Sequence, residues 1–265
     1  MFVMNEKYKL FAKQITDSIS DKIKKIHNSD FHRFGNNTGL GADGTVTKYI
    51  DKIAEDVALK EIKKSKIKIN LLSEEVGFID NKAKYTFVLD PIDGTRNAYR
   101  GIPFYSVSIA IGKNSIKDVE YGIVKNIPTG DIFTAEKDVG AFLNNNQLVV
   151  PDVPDKQILS SLTLGKNYDD VTIDLAKREK VRSLGSASLE MCMVAKGALD
   201  FFVVGKEYIR VVDIAASTLI LREAGGFVKD FSGKDLDMPF NLEKRSSVIA
   251  ACTIDLVKDI ISLKK

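Results

Sequence analysis

YTFVLDPIDGT (Tyr85–Thr95) opens with a nearly continuous apolar run and closes on two carboxylates, a proline, a glycine and a threonine. A run of that kind describes a strand buried on both faces. Pro91 enforces an extended approach, Gly94 permits a tight backbone, and Thr95 is able to begin a helix. Asp90 and Asp93, at i and i+3 across the strand end, are expected to converge on one point, where Ile92 also offers its carbonyl. Ligation by oxygen alone suits a hard cation such as Mg²⁺. The amides of Gly94 and Thr95, at a helix start, would form an anion pocket beside it. The same residues also make turns and helix caps, and taken alone they fit a plain turn as well as a site.

Working outward, Leu10, Phe11, Ile15, Ile19, Ile23 and Ile26 recur at steps of three and four and predict a helix over Tyr8–Ile26. The Gly/Asn-rich stretch Phe34–Thr45 reads as a mobile loop, and a second helix is predicted over Thr47–Lys64. Strands are expected at Ile67–Leu71, Tyr105–Gly112, Val119–Val124 and Asp131–Glu136, with a tight turn at Asn144–Gln147. Their short connections imply an antiparallel sheet. After Pro151 strands and helices alternate: strands at Lys180–Gly185, Asp200–Val204, Gly226–Asp230 and Ser246–Ala251, helices at Ser188–Gly197, Asp213–Ala224 and from Ile254. A soft boundary near Pro151 divides an N-terminal half, 1–150, from a C-terminal half, 151–265. The fold class is mixed α and β in at least three layers.

Composition narrows the chemistry. The 265 residues are 44% hydrophobic and 28% charged, an ordinary globular balance. A formal charge of +3 gives no strongly basic face for nucleic acid. Cys192 and Cys252 supply no disulfide framework and no zinc spacing, and they lie in apolar runs as core residues would. His27 and His32 are the only histidines, which argues against histidine-built metal sites and Ser-His-Asp machinery. Carboxylates are left to run the reaction. No run approaches the ~18 apolar residues of a membrane span, and MFVMNEKYKLFAKQ is interrupted by charge too early for a secretory signal. A cytoplasmic protein is the expectation.

Further acids lie upstream and downstream of the corner. SEEVG (Ser73–Gly77) supplies Glu74 and Glu75, and VVDIAAS (Val211–Ser217) supplies Asp213 at a helix start, where an Asp is also a common cap. Glu74-Glu75, DPIDGT (Asp90–Thr95) and VVDIAAS followed by EAGG (Glu223–Gly226) resemble the three motifs of the inositol monophosphatase family. These are Mg²⁺-dependent, lithium-sensitive phosphomonoesterases that include fructose-1,6-bisphosphatases, and the match in order and spacing covers essentially the whole chain. The resemblance implies a layered α/β/α/β/α sandwich, a homodimer, and two or three Mg²⁺ ions per site with Mn²⁺ as a substitute. It places Glu74, Asp90 and the Ile92 carbonyl on a first metal, Asp90, Asp93 and Asp213 on a second, and Asp43 near a weaker third. Asp51 would pair with the Thr95 hydroxyl, and with Glu74 they would orient water and take its proton; Glu75 would support. Surface or supporting carboxylates are the plain alternative for Asp51 and Glu75.

Specificity is expected from the second half. In RSLGSAS (Arg182–Ser188), Arg182, Ser183, Gly185 and Ser186 are candidates to receive hydroxyls or a second phosphate, as are Asp93, Gly94 and Thr95, although Arg182 reads equally as a solvated cation. Lys206 stands where animal members of the family carry a Glu seven residues before the last metal Asp, and Arg210 follows it. Both favour a substrate with a second anionic group. Val212 and Arg96 depart from the family's usual Trp and small residue, and GADGTVTKYID (Gly41–Asp51) resembles its archaeal branch, which hydrolyses inositol 1-phosphate and fructose 1,6-bisphosphate. Both are the expected substrates, with no nucleic-acid or membrane partner. An adenosine 3′,5′-bisphosphate nucleotidase and a non-catalytic Mg²⁺ or polyphosphate binder are the alternatives.

Overall fold

The computed structural model describes residues 4–42, 44–151, 157–164 and 169–264, the side chains of 28–30 excepted. Helix α1 (Glu6–Asp30) starts at Asn5, whose side chain accepts the Lys7 N–H at 3.1 Å. Strands β1 (Asn37–Leu40) and β2 (Val46–Lys48) precede α2 (Tyr49–Lys64). The open loop expected over Phe34–Thr45 is therefore corrected. Leu40 pairs with Val46, and the Gly41 N–H donates to the Thr45 carbonyl at 2.9 Å, so turn-forming residues close a short ladder.

The first half continues with β3 (Asn70–Ser73), β4 (Gly77–Ile79), β5 (Thr86–Asp93), α3 (Thr95–Arg100), β6 (Ser106–Gly112), β7 (Tyr121–Asn126), β8 (Ile132–Glu136), β9 (Gly140–Leu143) and β10 (Asn146–Leu148). The second half holds β11 (Leu159–Leu162), α4 (Asp170–Arg178), β12 (Lys180–Arg182), α5 (Ala187–Ala195), β13 (Phe201–Ile209), α6 (Val211–Glu223), β14 (Phe227–Lys229), β15 (Ser246–Ala251) and α7 (Ile254–Ser262). One sheet of eight strands has the order β10-β9-β8-β7-β6-β5-β3-β4 and is antiparallel except where β3 runs parallel to β5. A second sheet has the order β12-β11-β13-β15-β14.

Alternation along the strands builds the layers. Leu71, Phe87, Leu89, Ile109 and Ile111 face one way, into an apolar cluster with Ile15, Ile19 and Ile23 of α1 and Ile50 and Ala54 of α2. Leu72, Val88, Ala110 and Val124 face the other way, into a cluster that takes in α5, α6 and the second sheet. Every residue of α6 from Val211 to Leu221 is buried, as expected of a helix apolar all round and enclosed by sheets. With α4 and α7 on the far side of the second sheet, the order is α/β/α/β/α.

One irregularity positions the chemistry. Asp90 pairs with Ser108 and Asp93 with Ser106, so β5 spends three steps where β6 spends two. That is a β-bulge of one extra residue, a place where a strand tolerates proline. In a regular strand i and i+3 face opposite sides. The extra residue turns Asp93 back to the side of Asp90, between the sheets, while Ile92 joins Leu89 beneath α1 and α2.

Candidate active site

At the end of β5, Asp90 and Asp93 lie in the interior, and Asp51 from α2 and Asp213 from α6 reach the same region; none is more than 7% exposed. Each has one carboxylate oxygen tied to a main-chain N–H: Asp51 to Lys48 at 3.2 Å, Asp90 to Ile92 at 3.0 Å, Asp93 to Ser188 at 2.7 Å and Asp213 to Arg210 at 2.8 Å. Asp51 and Asp213 both sit at the third position of their helices and accept the N–H of the capping residue, so the cap role and a site role coexist in one side chain.

Gly94, with φ of +91°, turns the chain out of β5; a Cβ there would lie 3.1 Å from the carbonyls of Gly185 and Phe104. That closeness seats the Arg182–Ser188 loop on the corner. The hydroxyls of Ser186 (2.7 Å) and Ser188 (2.5 Å) join the Ser188 N–H in donating to Asp93 Oδ2. Three donors commit that oxygen and leave Oδ1 for other use.

Thr95 Oγ1 lies 2.9 Å from Asp51 Oδ1 and 3.1 Å from the Ile92 carbonyl. Its single proton serves one at a time. Burial, then the charge of Glu74, pushes Asp51 up to about 8, while the hydrogen bond that Thr95 donates to it works the other way. Asp90 is held well above the carboxylate range by burial and then by Glu74, Asp93 and Asp213; Asp93, buried but relieved by Ser188 and Ser186, rises only to about 6. Acids from three distant segments thus act on one another across one buried region.

Arg210 departs from its expected place. Its Nε and Nη2 donate to Asp213 Oδ1 at 3.0 and 2.7 Å, and its Nη1 donates to Glu74, bridging residues 136 apart in sequence. Burial opposes its charge, but Asp213 and Glu74 outweigh that and strengthen its hold on the proton. Glu75 accepts from the Thr47 hydroxyl on the β1–β2 hairpin. Lys206, Arg182, Ser183, Gly185 and Arg96 are exposed, Ser186 is buried, and Asp43 lies outside the described residues.

Among the described residues no three acids form a ready-made metal pocket. The donor chemistry nonetheless fits a hard divalent cation: every candidate ligand is a carboxylate or carbonyl oxygen, and their mutual repulsion calls for positive charge. Ser108 Oγ, opposite Asp90, is buried without a hydrogen-bond partner, so the polar shell has room for another. A divalent ion on Glu74 and Asp213 has to share them with Arg210 or displace it.

Sequence reasoning missed Ser188, Glu190 and Asn97. Glu190 carried a signal, an acid inside the apolar run SLEMCMVA (Ser188–Ala195). Asn97 and Ser188 carried none, since their partners lie up to 95 residues away.

A family model described as the inositol monophosphatase family matches residues 5–262. A fructose-1,6-bisphosphatase of Pyrococcus furiosus is 40% identical over 236 residues, covering 87% of this chain and 90% of that protein. A bifunctional NADP phosphatase/NAD kinase of Methanococcus maripaludis is 42% identical over 236 residues, covering 80% of this chain but spanning only 42% of that longer protein. A solved structure from Pyrococcus horikoshii, a hypothetical protein with similarities to inositol-1 monophosphatase, superposes with a TM-score of 0.85 at 31% identity, covering 98% of this chain and 99% of its own.

Proposed function

The chain belongs to the inositol monophosphatase family, and from that premise we propose that it is a Mg²⁺-dependent phosphomonoesterase acting on fructose 1,6-bisphosphate and inositol 1-phosphate. The observation that carries this reading is the corner itself, where a bulged strand turns Asp90 and Asp93 to one side and the Thr95–Asp51 pair stands beside them. Glu74, Asp90, the Ile92 carbonyl, Asp93 and Asp213 would hold two ions, and Asp43 would stand near a third. Bound Mg²⁺ supplies charge neutralisation at the phosphoryl group and acidifies water.

The chain's own residues supply the rest. Thr95 Oγ1 orients the attacking water and passes its proton to Asp51, the carboxylate that accepts from Thr95 at 2.9 Å. Water oxygen bonds to phosphorus, the phosphorus–oxygen ester bond breaks, and the departing alkoxide takes a proton from solvent. Ser186 and Ser188 fix Asp93 throughout. Lys206 and Arg182 are exposed and would meet a second phosphate, while Arg210 reaches substrate only by leaving Glu74 or Asp213. The same cations suit a nucleotide phosphate, and the NADP phosphatase relative favours the 2′-phosphate of NADP as a second reading. A cytoplasmic homodimer organised as halves 1–150 and 151–265 completes the proposal; no described helix is long and apolar enough to cross a membrane.

Phosphate release from fructose 1,6-bisphosphate, inositol 1-phosphate and NADP, with Mg²⁺ and with chelator, tests it. Turnover of either sugar phosphate that chelator abolishes is expected. NADP as the sole good substrate would replace the assignment, and turnover indifferent to chelator would end it.

A further inference from the structure

Two side chains with no part in the chemistry above hold the backbone of one residue, Leu184. Glu190, 2% exposed on α5, offers Oε1 to the Leu184 N–H at 2.9 Å and to the Ser161 hydroxyl of β11 at 2.5 Å. Asn97, on α3, donates from Nδ2 to the Leu184 carbonyl at 2.6 Å and to the Phe104 carbonyl at 2.8 Å. Both polar groups of Leu184 are thus gripped, one from the C-terminal half and one from the segment that follows the DPIDGT corner. Between Leu184 and the serines stands Gly185, with φ of +83° and the Asn97 side chain 3.2 Å from where a Cβ would lie. The path from Leu184 to Ser186 therefore has little freedom. Ser188 is braced again by Ser106, the partner of Asp93 across the ladder, at 2.8 Å.

We propose that Glu190 and Asn97 are positioning residues that set Asp93 for its cation: by fixing Leu184 they place the Ser186 and Ser188 donors that occupy Asp93 Oδ2 and turn Oδ1 to the metal. The proposal rests on the reading of Asp93 as a metal ligand. A buried carboxylate stripped of three donors rotates or finds other partners, and hydrogen-bond partners one step behind a ligand typically govern metal affinity by about 10–100-fold. Burying Glu190 merely to specify the fold would make a different prediction, because stability and metal affinity would then separate.

The test titrates the full chain with MgCl₂ alone, without substrate, by calorimetry, and melts the same samples in chelator. Glu190→Ala is expected to weaken Mg²⁺ binding by about 10-fold. Glu190→Gln keeps an accepting oxygen toward Leu184 and should recover most of that loss. Asn97→Ala should weaken binding by a similar factor, and the double variant by less than the product of the two, since both act on one residue. Asn97→Ala also carries the test should Glu190→Ala fail to fold. Variants that melt earlier yet bind Mg²⁺ as the wild type does would overturn the proposal while leaving the phosphatase assignment intact. A wild type that takes up no Mg²⁺ and releases no phosphate would overturn the assignment and the positioning role with it.

Discussion

The inner wall of the site and its outer rim are built on opposite terms. On the inner wall Asp51, Asp90, Asp93 and Asp213 are buried, and each is tied by one oxygen to a main-chain N–H. On the rim Arg182, Ser183, Gly185, Lys206, Glu207 and Tyr208 are exposed, at the end of β12 and on the irregular stretch of β13 between Val204 and Ile209. A substitution on the wall disturbs a backbone as well as a side chain. One on the rim meets mostly water. Under the proposed function, the contrast puts the reaction on rigidly held groups and leaves the choice of substrate to residues that vary at little cost.

The sharpest way to break that contrast is Asp93→Asn. With three donors on one oxygen, the amide must place its carbonyl toward Ser186 and Ser188 and its NH₂ toward the cation, which a metal cannot use. Activity should fall by roughly 10³-fold or more, with a cooperative melt retained; a variant with near wild-type turnover at saturating Mg²⁺ would remove Asp93 from the site. Next comes Thr95→Ala, expected to lower kcat by about 10²–10⁴-fold while Mg²⁺ binding measured by calorimetry stays within a factor of two or three. A kcat loss that excess Mg²⁺ repairs would assign Thr95 to metal binding instead.

A smaller effect should appear in the pH dependence of stability in chelator. Asp51 at about 8, Glu190 at about 7 and Asp93 at about 6 all keep protons in the folded chain at pH values where the unfolded chain has released them. The folded state then binds more protons, so its stability falls as pH rises from the ordinary carboxylate range toward 8. Melting temperature in chelator should be lower at pH 8 than at pH 5.5, and Mg²⁺ should flatten the slope. A flat profile in chelator would show that these acids titrate normally. The smallest effect belongs to the rim. Lys206→Ala should shift kcat/KM for fructose 1,6-bisphosphate relative to inositol 1-phosphate by no more than about fivefold, the worth of one exposed ionic contact. A shift of a hundredfold would place the lysine inside the wall.

Wherever a feature depended on local spacing, it could be read from the chain. The apolar steps of α1 carry a helical period, and the buried runs into Asp90 and through Ser246–Ala251 read as strands enclosed on both faces. Glu74, Asp90 and Asp93 stood out because apolar runs stop at them, and Asp213 because it opens a helix. What stayed hidden depends on distant partners. The hairpin over Asn37–Lys48 forms by pairing two strands of four and three residues, the first wholly exposed, too short to show a period. Strands as short as β4 and β10, three residues each, give no readable period. Arg210 was read as a cation awaiting an anionic substrate because nothing near it in sequence reveals Glu74. The grip on Leu184 pairs Glu190, six residues on, with Asn97, 87 residues away, which only tertiary packing brings within reach.

The extra residue in β5 has a consequence for the shape of the strand rather than its letters. Straightened without loss of a residue, the strand would swing the second aspartate into the oily layer below α1 and α2, whereas removing Pro91 or Ile92 would leave that aspartate at i+2, on the side of Asp90. A strand straightened in that way would keep both acids of the motif and lose one of them from the corner. The bulge itself, beside the two aspartates, is therefore part of what the motif has to preserve.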